Sequence, residues 1–541
     1  MKIIAALVAV FLYTASAHAA EYVDVTATGG GAFSCRVDGV EVSTHTAEYK
    51  AAAQAIDLKL LNPDSTVVCE QTKALVASLT AAGADLVAGD PPPPPPPPPV
   101  LAQCEDTVDN DGDGETDFPA DDGCDSLSDD DETDPVTPPP PPPPPPPSSG
   151  LIPDVPFDYG MLPGAVTASS TLPASIAAGD VIALQATSTD DTTITCSGTD
   201  SEPAFIVGGV INGTGNGAII NIAGEHCHFV GTTFANAQPR TGGSRHVLSG
   251  IEVYGLSKNC SNIGGTEVVV TDSEFHHCRP TGRDAHGIQV STGARDIWIL
   301  DSVSHNNSGN GFQATHCRTG GEVDCAAVRP SGIYLRGNEF YENREGNGLK
   351  WADNVIFDSN TFHSYRAAQA NTEWCFSDGF CGTWNSGSDG AAIVIGADNE
   401  HTGLTNVFVI NNLIYDTANG LRVEDATAPV IEGNVIENFG GRCLGLDKNG
   451  EGIVFRGNTC RNGERGIFQN WRDNFSLDVD ANLFEGITGP ALEYEQPTVC
   501  NASTLTNNMF VNTGAVICGN TQATDSDSVN ALPGASGNTY Q

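Results

Sequence analysis

A short acidic segment has the residue types and the spacing of a cation-binding loop. In the run DNDGDG at 109–114, oxygen-bearing side chains stand at loop positions 1, 3 and 5 and glycine stands at position 6, as a calcium loop requires, although the glutamate typical of position 12 is absent. Carboxylates this close repel one another unless a hard cation lies among them. A disordered acidic tether is the alternative, but Cys104 and Cys124 frame the segment as a folded unit. The segment therefore predicts a calcium site.

A second group of residues that could do chemistry lies in short segments that recur along the C-terminal half. Most of these segments begin with glycine and continue with an apolar residue. Strand alternation directs one residue of each segment inward and the next one outward. The predicted inward residues are Ile288, Phe312, Leu349, Ile393 and Leu421. The predicted outward column is Gln289, Gln313, Lys350, Val394 and Arg422. On this alignment Lys350 and Arg422 lie two coils apart, roughly 10 Å at the spacing of parallel strands.

The outward column and its surroundings contain the groups needed to cleave a uronate-containing glycan by β-elimination. That reaction needs a cation to neutralise the C6 carboxylate, a base to remove the adjacent proton and an acid for the leaving oxygen. The candidate catalytic residues are Lys350, Arg422, Arg366, Tyr365 and His363. The candidate substrate-binding residues are His286, Gln289, Gln313, Trp351, Glu424 and Asp447. The plain alternative is that Lys350 is a surface residue in cation–π contact with Trp351.

The elements that must position these residues form a repeat with a period in the low twenties. Asn338 and Asn360 are 22 residues apart, as are Asn412 and Asn434. Further asparagines follow at intervals of 24, 24 and 26, namely Asn458, Asn482 and Asn508. Such a period, with two or three short strands per turn, is typical of a solenoid whose stacked coils bury their inward residues jointly. The sequence therefore predicts an all-β fold, a parallel β-helix with a ladder of asparagine side chains at one corner.

Two intervals of the repeat are long, between Gln313 and Ile333 and between Tyr365 and Ala391. Insertions in a solenoid emerge as loops on one face, commonly the binding face. The chain has sixteen cysteines, and each insertion carries one pair of them. We expect neighbouring cysteines to pair in an oxidising compartment. The pairs named on this basis are Cys35 with Cys69, Cys104 with Cys124, Cys317 with Cys325, and Cys375 with Cys381.

The composition bounds the location and the partners. A lysine, an apolar run and small residues within 1–19 predict a signal peptide, and hence a secreted or cell-surface protein of bacterial type. No second apolar stretch approaches the length of a transmembrane segment. The formal net charge of -44, with only 24 Lys and Arg, argues against nucleic acid as a partner. Divalent cations suit this charge, although solubility alone also explains it.

Two proline runs act as stiff polyproline II spacers and divide the chain. The predicted organisation is a signal peptide (1–19), a small N-terminal module (20–90), a proline-rich linker (91–103), the acidic calcium-binding module (104–134), a second proline-rich linker (135–150) and a β-helix domain (151–541).

Residues 160–541 resemble the pectate-lyase-like superfamily of right-handed parallel β-helices, which includes polysaccharide lyases, hydrolases and epimerases. The phrases NGLKWADNVIFDSNTF (347–362) and GSDGAAIVIGADN (387–399) are similar to lyases of the alginate lyase and chondroitinase B type, and this resemblance implies that Lys350 is the base. That family pairs the lysine with an arginine on the next coil, where Val394 stands here. The acidic module resembles thrombospondin type-three calcium modules, which implies ligands at Asp106, Asp109, Asp111, Asp113 and Asp117.

The leading interpretation is a polysaccharide lyase acting on an anionic glycan, with structural calcium in the acidic module and a second calcium at the substrate site left open. A glycoside hydrolase of the same fold needs paired carboxylates on one face, for which Glu424 and Asp447 are the candidates. A non-catalytic adhesin or glycan-binding solenoid is a third possibility, since proline rods and a calcium module suit a stalk. The sequence leaves open which polysaccharide is bound and the oligomeric state.

The calcium module generates the first prediction. Chelation should loosen 104–134 and leave the β-helix folded, because a proline rod transmits no packing between them. Limited proteolysis with and without a chelator, read by mass spectrometry, measures this. Identical cleavage patterns under both conditions would count against the module.

Overall fold

The computed structural model describes residues 23–28, 32–37, 40–43, 150–160, 166–314, 328–396, 404–469 and 475–541. The chain divides into two units, 1–141 and 142–541. In the first unit the strands Val23–Thr28, Ala32–Val37 and Val40–Ser43 form an antiparallel sheet. The calcium module lies outside the described residues, as do the predicted pairs that involve Cys69, Cys104 and Cys317.

The second unit is a stack of coils, each of which contributes strands to up to three parallel sheets. We name the sheets in the order in which a coil passes through them. The first sheet contains Thr167–Ser169, Val181–Leu184, Ala204–Val207, Cys227–Val230, Val247–Ser249, Thr266–Thr271, Arg295–Leu300, Ser331–Arg336, Asp353–Asp358, Val407–Ile410, Val430–Glu432, the end of Val435–Arg456, Phe475–Asp480, Thr504–Thr506 and Ala535–Ser536.

The second sheet follows the first after a tight corner. It contains Thr187–Thr189, Val210–Gly213, Thr233–Ala235, Glu252–Tyr254, Glu274–His276, Val303–His305, Glu339–Tyr341, Thr361–His363, Leu413–Thr417, the start of Val435–Arg456, the start of Thr459–Gln469, Leu483–Ile487, Met509–Val511 and Thr539–Tyr540.

The third sheet completes the coil. It contains Ile288–Val290, Phe312–Ala314, Asn347–Leu349, Ala391–Ile395, Asn419–Thr427, the middle of Val435–Arg456, the end of Thr459–Gln469, Pro490–Tyr494 and Gly514–Cys518. Isolated bridges at 240–262 and 263–290 continue it into a smaller sheet of Ser175–Ala177, Thr192–Ser197, Ala218–Glu225 and Ala237–Thr241. The remaining elements are the strands Leu404–Thr405, Thr521–Ala523, Glu373–Cys375 and Cys381–Thr383 and the helices Pro497–Ala502 and Ser526–Asn530.

The interior is apolar because every strand turns alternate side chains towards the axis. Ile393 pairs in register with Leu421, and both have no exposed surface, as predicted. Phenylalanines at equivalent positions of successive coils stack, for instance Phe340 on Phe362 with ring centroids 5.3 Å apart. Each coil therefore completes the core of its neighbours rather than its own.

The predicted asparagine ladder is confirmed at the corner between the first and second sheets. Asn412 donates from both its backbone N–H and its side-chain Nδ2 to Oδ1 of Asn434, each over 2.9 Å, and Asn434 does the same to Asn458. The pattern runs over eight coils through Asn338, Asn360, Asn412, Asn434, Asn458, Asn482, Asn508 and Asn538. The ladder satisfies buried amides that the turn would otherwise leave without partners.

The predicted pairing of neighbouring cysteines is confirmed for Cys375 with Cys381. Four further disulfides among the described residues also join cysteines that are consecutive in the sequence, namely Cys196–Cys227, Cys260–Cys278, Cys443–Cys460 and Cys500–Cys518. In the described part of the chain, no helix is long and apolar enough to cross a membrane.

The ladder predicts that Asn434→Ala destabilises the second unit by more than about 2 kcal/mol, because it leaves the buried backbone N–H of Asn412 without an acceptor and removes one of the bonds that the Asn412 side chain donates. Thermal or denaturant unfolding measures this. The control is Asn221→Ala, which removes only longer bonds from a half-buried strand position. Equal losses of stability in the two variants would contradict a special role for the ladder.

Candidate active site on the third sheet

The outward column of the third sheet differs from the predicted one at Lys350. Gln289 pairs with Gln313 as expected, but Gln313 pairs with Gly348, which continues through Val394 to Arg422. Lys350 lies two residues further along its strand, so the prediction that it shares a column with Arg422 is wrong. Because the slip is by two residues, Leu349 still faces inward with no exposed surface.

The insertion at 366–390 folds back over the edge of the third sheet. The Trp384 indole donates to the carbonyl oxygen of Pro280 over 2.8 Å and has no exposed surface. Arg366, a predicted catalytic residue, is exposed at the start of this insertion and donates to the carbonyl oxygen of Cys375 over 3.1 Å. The Trp384 contact binds the insertion to a coil about 100 residues earlier in the chain.

A cluster of charged residues forms where the insertion meets the sheet, and we call Asp284, Arg344, Glu345 and Ser386 the Glu345 cluster. Nη1 of Arg344, whose side chain is 1% exposed, lies 3.1 Å from Asp284 and 3.4 Å from Glu345. The Ser386 hydroxyl donates to Asp284 over 2.7 Å. Burial, and next the charge of Asp284, raise the pKa of Glu345, while Ser386 and the charges of Lys350 and Arg344 oppose the rise. A carboxyl with a raised pKa is suited to general acid catalysis.

Next along the same face lies a network of two arginines and three carboxylates, which we call the arginine network. Arg422 contacts Asp389 at 3.1 Å, Glu424 at 3.0 Å and, more loosely, Asp447 at 3.8 Å. Arg442 contacts Asp447 at 2.9 Å and Asp389 at 3.3 Å. The structure thus brings together the predicted Arg422, Glu424 and Asp447. Since the carboxylates outnumber the guanidinium groups, the network offers no surplus positive charge to an anionic substrate.

On the other side of the Glu345 cluster, the predicted binding residues form a chain of amides. Gln289 donates to Gln313 over 3.4 Å, and Gln313 donates to Asn310 over 2.8 Å. The backbone N–H of Asn310 in turn donates to Nδ1 of His286 over 3.0 Å. Gln313 is 4% exposed, so it orients its neighbours rather than presenting a free surface to a polymer.

Tyr365 does not lie on this face, and the structure contradicts its predicted role. Its side chain is 1% exposed, and its hydroxyl oxygen accepts hydrogen bonds from Asn347 at 3.0 Å and Asn343 at 3.5 Å. Asn343 is itself the acceptor for Asn307 in a second, shorter ladder. Burial raises the pKa of the Tyr365 hydroxyl. The ring therefore ends an internal ladder and meets no substrate.

His363 and Trp351 also lie away from the face. His363 is on the second sheet, where Nε2 lies 3.1 Å from a carboxylate oxygen of Glu339. Trp351 is 4% exposed and lies under the guanidinium of Arg329, with 5.4 Å from Cζ to the ring centroid. The ring thus has a cation–π contact with Arg329.

Several residues of the face were not predicted, namely Asp284, Arg344, Glu345, Ser386, Asp389 and Arg442. Two of them carried a usable signal. A bridge joins Asn310 to Glu345. His286, Asn310 and Glu345 therefore occupy equivalent positions on three successive coils. Aligning Gly346 rather than Gly348 with the earlier glycines would have placed Glu345, and with it Arg344, at the edge of the sheet.

The raised pKa of Glu345 generates a prediction about stability. The folded protein retains this proton at pH values where the unfolded chain has released it, so this carboxyl lowers stability as the pH rises from its unfolded pKa to its folded pKa. Glu345→Gln cannot ionise. Its melting temperature relative to that of the unsubstituted protein should therefore increase from about pH 4 to about pH 8 in thermal unfolding. A difference that is constant with pH would contradict the burial argument.

Comparison with known proteins concerns the fold. Residues 323–484 match a family model described as a right handed beta helix region. A search of curated proteins finds no match. Similar solved structures include a pectate lyase, with 12% identity over 55% of this chain and 72% of the other and a TM-score of 0.35. The A-module of a mannuronan C-5 epimerase from Azotobacter vinelandii has 13% identity over 67% of this chain and 90% of the other, with a TM-score of 0.42. An alginate lyase from Paenibacillus has 13% identity over 56% of this chain and 97% of the other, with a TM-score of 0.29. At these identities and TM-scores the likeness says nothing about a reaction. The second unit of this chain is a right-handed parallel β-helix.

Proposed function

We propose that this chain is a secreted enzyme that cleaves polysaccharides by general acid–base catalysis at the Glu345 cluster. The observation that carries the proposal is the Glu345 carboxyl, which is largely buried beside Asp284, Arg344 and Ser386 and has a raised pKa. Structural ion pairs seldom leave a carboxyl with its pKa raised, because a salt bridge normally lowers it. The cluster lies at the edge of the third sheet, where the insertion at 366–390 meets it.

The reaction that we propose first is β-elimination at a uronate. Glu345 supplies the proton to the leaving glycosidic oxygen. Lys350, whose charge acts on the Glu345 carboxyl, either removes the proton next to the uronate carboxylate or neutralises that carboxylate while the Asp284 carboxylate takes the proton. Arg422 and Arg442 are already paired with acidic residues, so they orient the substrate through their network rather than provide a free cation.

Hydrolysis is the second candidate, and one observation favours it. Asp284 and Glu345 both contact the same nitrogen of Arg344, so two carboxyl groups lie close together on one face. A pair of carboxyl groups close together on one face is the equipment of a glycosidase. This pair replaces Glu424 and Asp447, whose oxygens are held by Arg422 and Arg442.

The test compares Lys350→Ala with the matched control Lys258→Ala, whose lysine donates to the carbonyl oxygen of Gly217 elsewhere on the solenoid. The purified chain is incubated with alginate, pectate, ulvan and glycosaminoglycans. Absorbance near 235 nm records the unsaturated uronate of an elimination, and a reducing-end assay records every cleavage. Lys350→Ala should lower the rate of elimination about 100-fold or more with little change in melting temperature, and Lys258→Ala should not.

Lys350→Arg then separates the two roles of the lysine, because a guanidinium keeps the charge and cannot act as a base. Rescue by arginine identifies carboxylate neutralisation, and failure of rescue identifies a base. New reducing ends without absorbance, abolished by Glu345→Gln or Asp284→Asn, would select hydrolysis. Full activity of both Lys350→Ala and Glu345→Gln on a substrate that the unsubstituted chain cleaves would overturn the assignment of this site.

A further inference from the structure

The second sheet carries a column of aromatic rings on its outward side, remote in the coil from the Glu345 cluster. Successive coils place one ring each in register, and the rings stack nearly parallel with centroids 4.6 to 5.4 Å apart. The members are Tyr254, His276, His305, Tyr341, His363 and Tyr415. Neighbouring rings cover one another's faces, so the column presents ring edges, and the nitrogen atoms of its histidines, to its surroundings.

Each histidine of the column meets a glutamate of the preceding coil. His276 lies 3.3 Å from Glu252, and His363 lies 3.1 Å from Glu339. His305 lies 2.8 Å from Glu274. The three sites differ in their neighbours along the column, because His276 and His305 are adjacent whereas His363 has a tyrosine on either side.

This adjacency gathers three potential metal ligands at one point. A carboxylate oxygen of Glu274 and one nitrogen each of His276 and His305 all lie within 4.8 Å of one another. His277 adds a third imidazole, because its left-handed backbone (φ 56°) turns its side chain to the same side as that of His276. Nδ1 of His277 contacts Nδ1 of His276, and its ring centroid lies 5.7 Å from that of His305.

The hydrogen bonds of His305 fix which of its nitrogens can bind an ion. Its Nδ1 lies 2.6 Å from Oδ1 of Asn306, while Nδ2 of Asn306 donates to Glu342 over 3.1 Å, which sets the orientation of the amide. Oδ1 can only accept, so Nδ1 of His305 carries the proton. In the neutral ring Nε2 then directs a lone pair at the Glu274 carboxylate, and a cation must lie between them, either a proton or a metal ion.

We propose that Glu274, His276 and His305 form a site for a transition-metal ion of the zinc type, with the His277 ring packed beside both imidazoles. Imidazole nitrogens with one carboxylate are the donor set that Zn²⁺ prefers, and calcium prefers oxygens throughout. An ion here would join two successive coils across the second sheet. It would also support the insertion at 366–390, since Asp378 of that insertion lies 3.2 Å from Nε2 of His277.

The experiment uses the full chain, stripped with a chelator and returned to excess calcium so that hard-oxygen sites are filled. Co²⁺ is titrated and followed by its visible d–d absorption, and Zn²⁺ affinity is obtained by displacement. The decisive variant is His305→Tyr, because the column already accepts tyrosine at three positions and the ring stack is preserved. The matched control is His363→Tyr, which removes a histidine that also contacts a glutamate but has no second imidazole beside it.

The expected result is one equivalent of bound metal, with affinity lowered about 100-fold by His305→Tyr and changed by less than about 2-fold by His363→Tyr. Should His305→Tyr fail to fold, Glu274→Gln removes the carboxylate ligand with every ring in place and should weaken binding by a similar factor. The proposal is overturned if the unsubstituted chain binds Zn²⁺ no more tightly than these variants, or if His363→Tyr weakens binding as strongly. In either case the column is an aromatic scaffold alone.

Discussion

Both sites proposed on the second unit depend on parallel hydrogen bonding between coils that are stacked in register. A residue of one coil lies about 4.8 Å from its counterpart on the next, so side chains far apart in sequence form continuous columns. Inward columns give the apolar core, and the corner column gives the asparagine ladder, as between Asn412 and Asn434. Outward columns bring charged groups, amides and aromatic rings together at the same spacing. The fold thereby places charged side chains and rings close together. Each group of like charges needs oppositely charged partners nearby.

The third sheet and its insertion show how the pairing of these charges forms a site. The Glu345 side chain loses most of its hydration on burial, and Arg344 cannot fully restore the stability of the charged form because it also serves Asp284. The hydroxyl that completes the cluster comes from Ser386, which is 102 residues from Asp284. The insertion therefore does more than border the face, because it supplies a group on which the protonation of this carboxyl depends.

Much of the scaffold was predictable from the sequence, since the solenoid period, the inward residues and the asparagine ladder follow from local spacing. The site was less predictable for two physical reasons. The segment GNGLK has glycines two residues apart, and a shift of two leaves every side chain on its face, so hydrophobic patterning could not choose between the two registers for Lys350. Tyr365 was judged by its hydroxyl, but its ring completes the core, and its oxygen accepts from Asn347 inside.

The carboxylates of the two outward faces pair with different kinds of side chain. The two faces are therefore suited to different chemistry. On the third sheet the partners are guanidinium groups, which stay charged at every physiological pH and fix the network around Asp389 and Asp447 in one state. On the second sheet the partners of Glu252, Glu274 and Glu339 are imidazoles, a group that can bind either a proton or a metal ion. A face with fixed partners suits the orientation of a polymer. A face with imidazole partners suits the binding of a metal ion. The suitable point is the place in the column where two imidazoles lie close to one carboxylate.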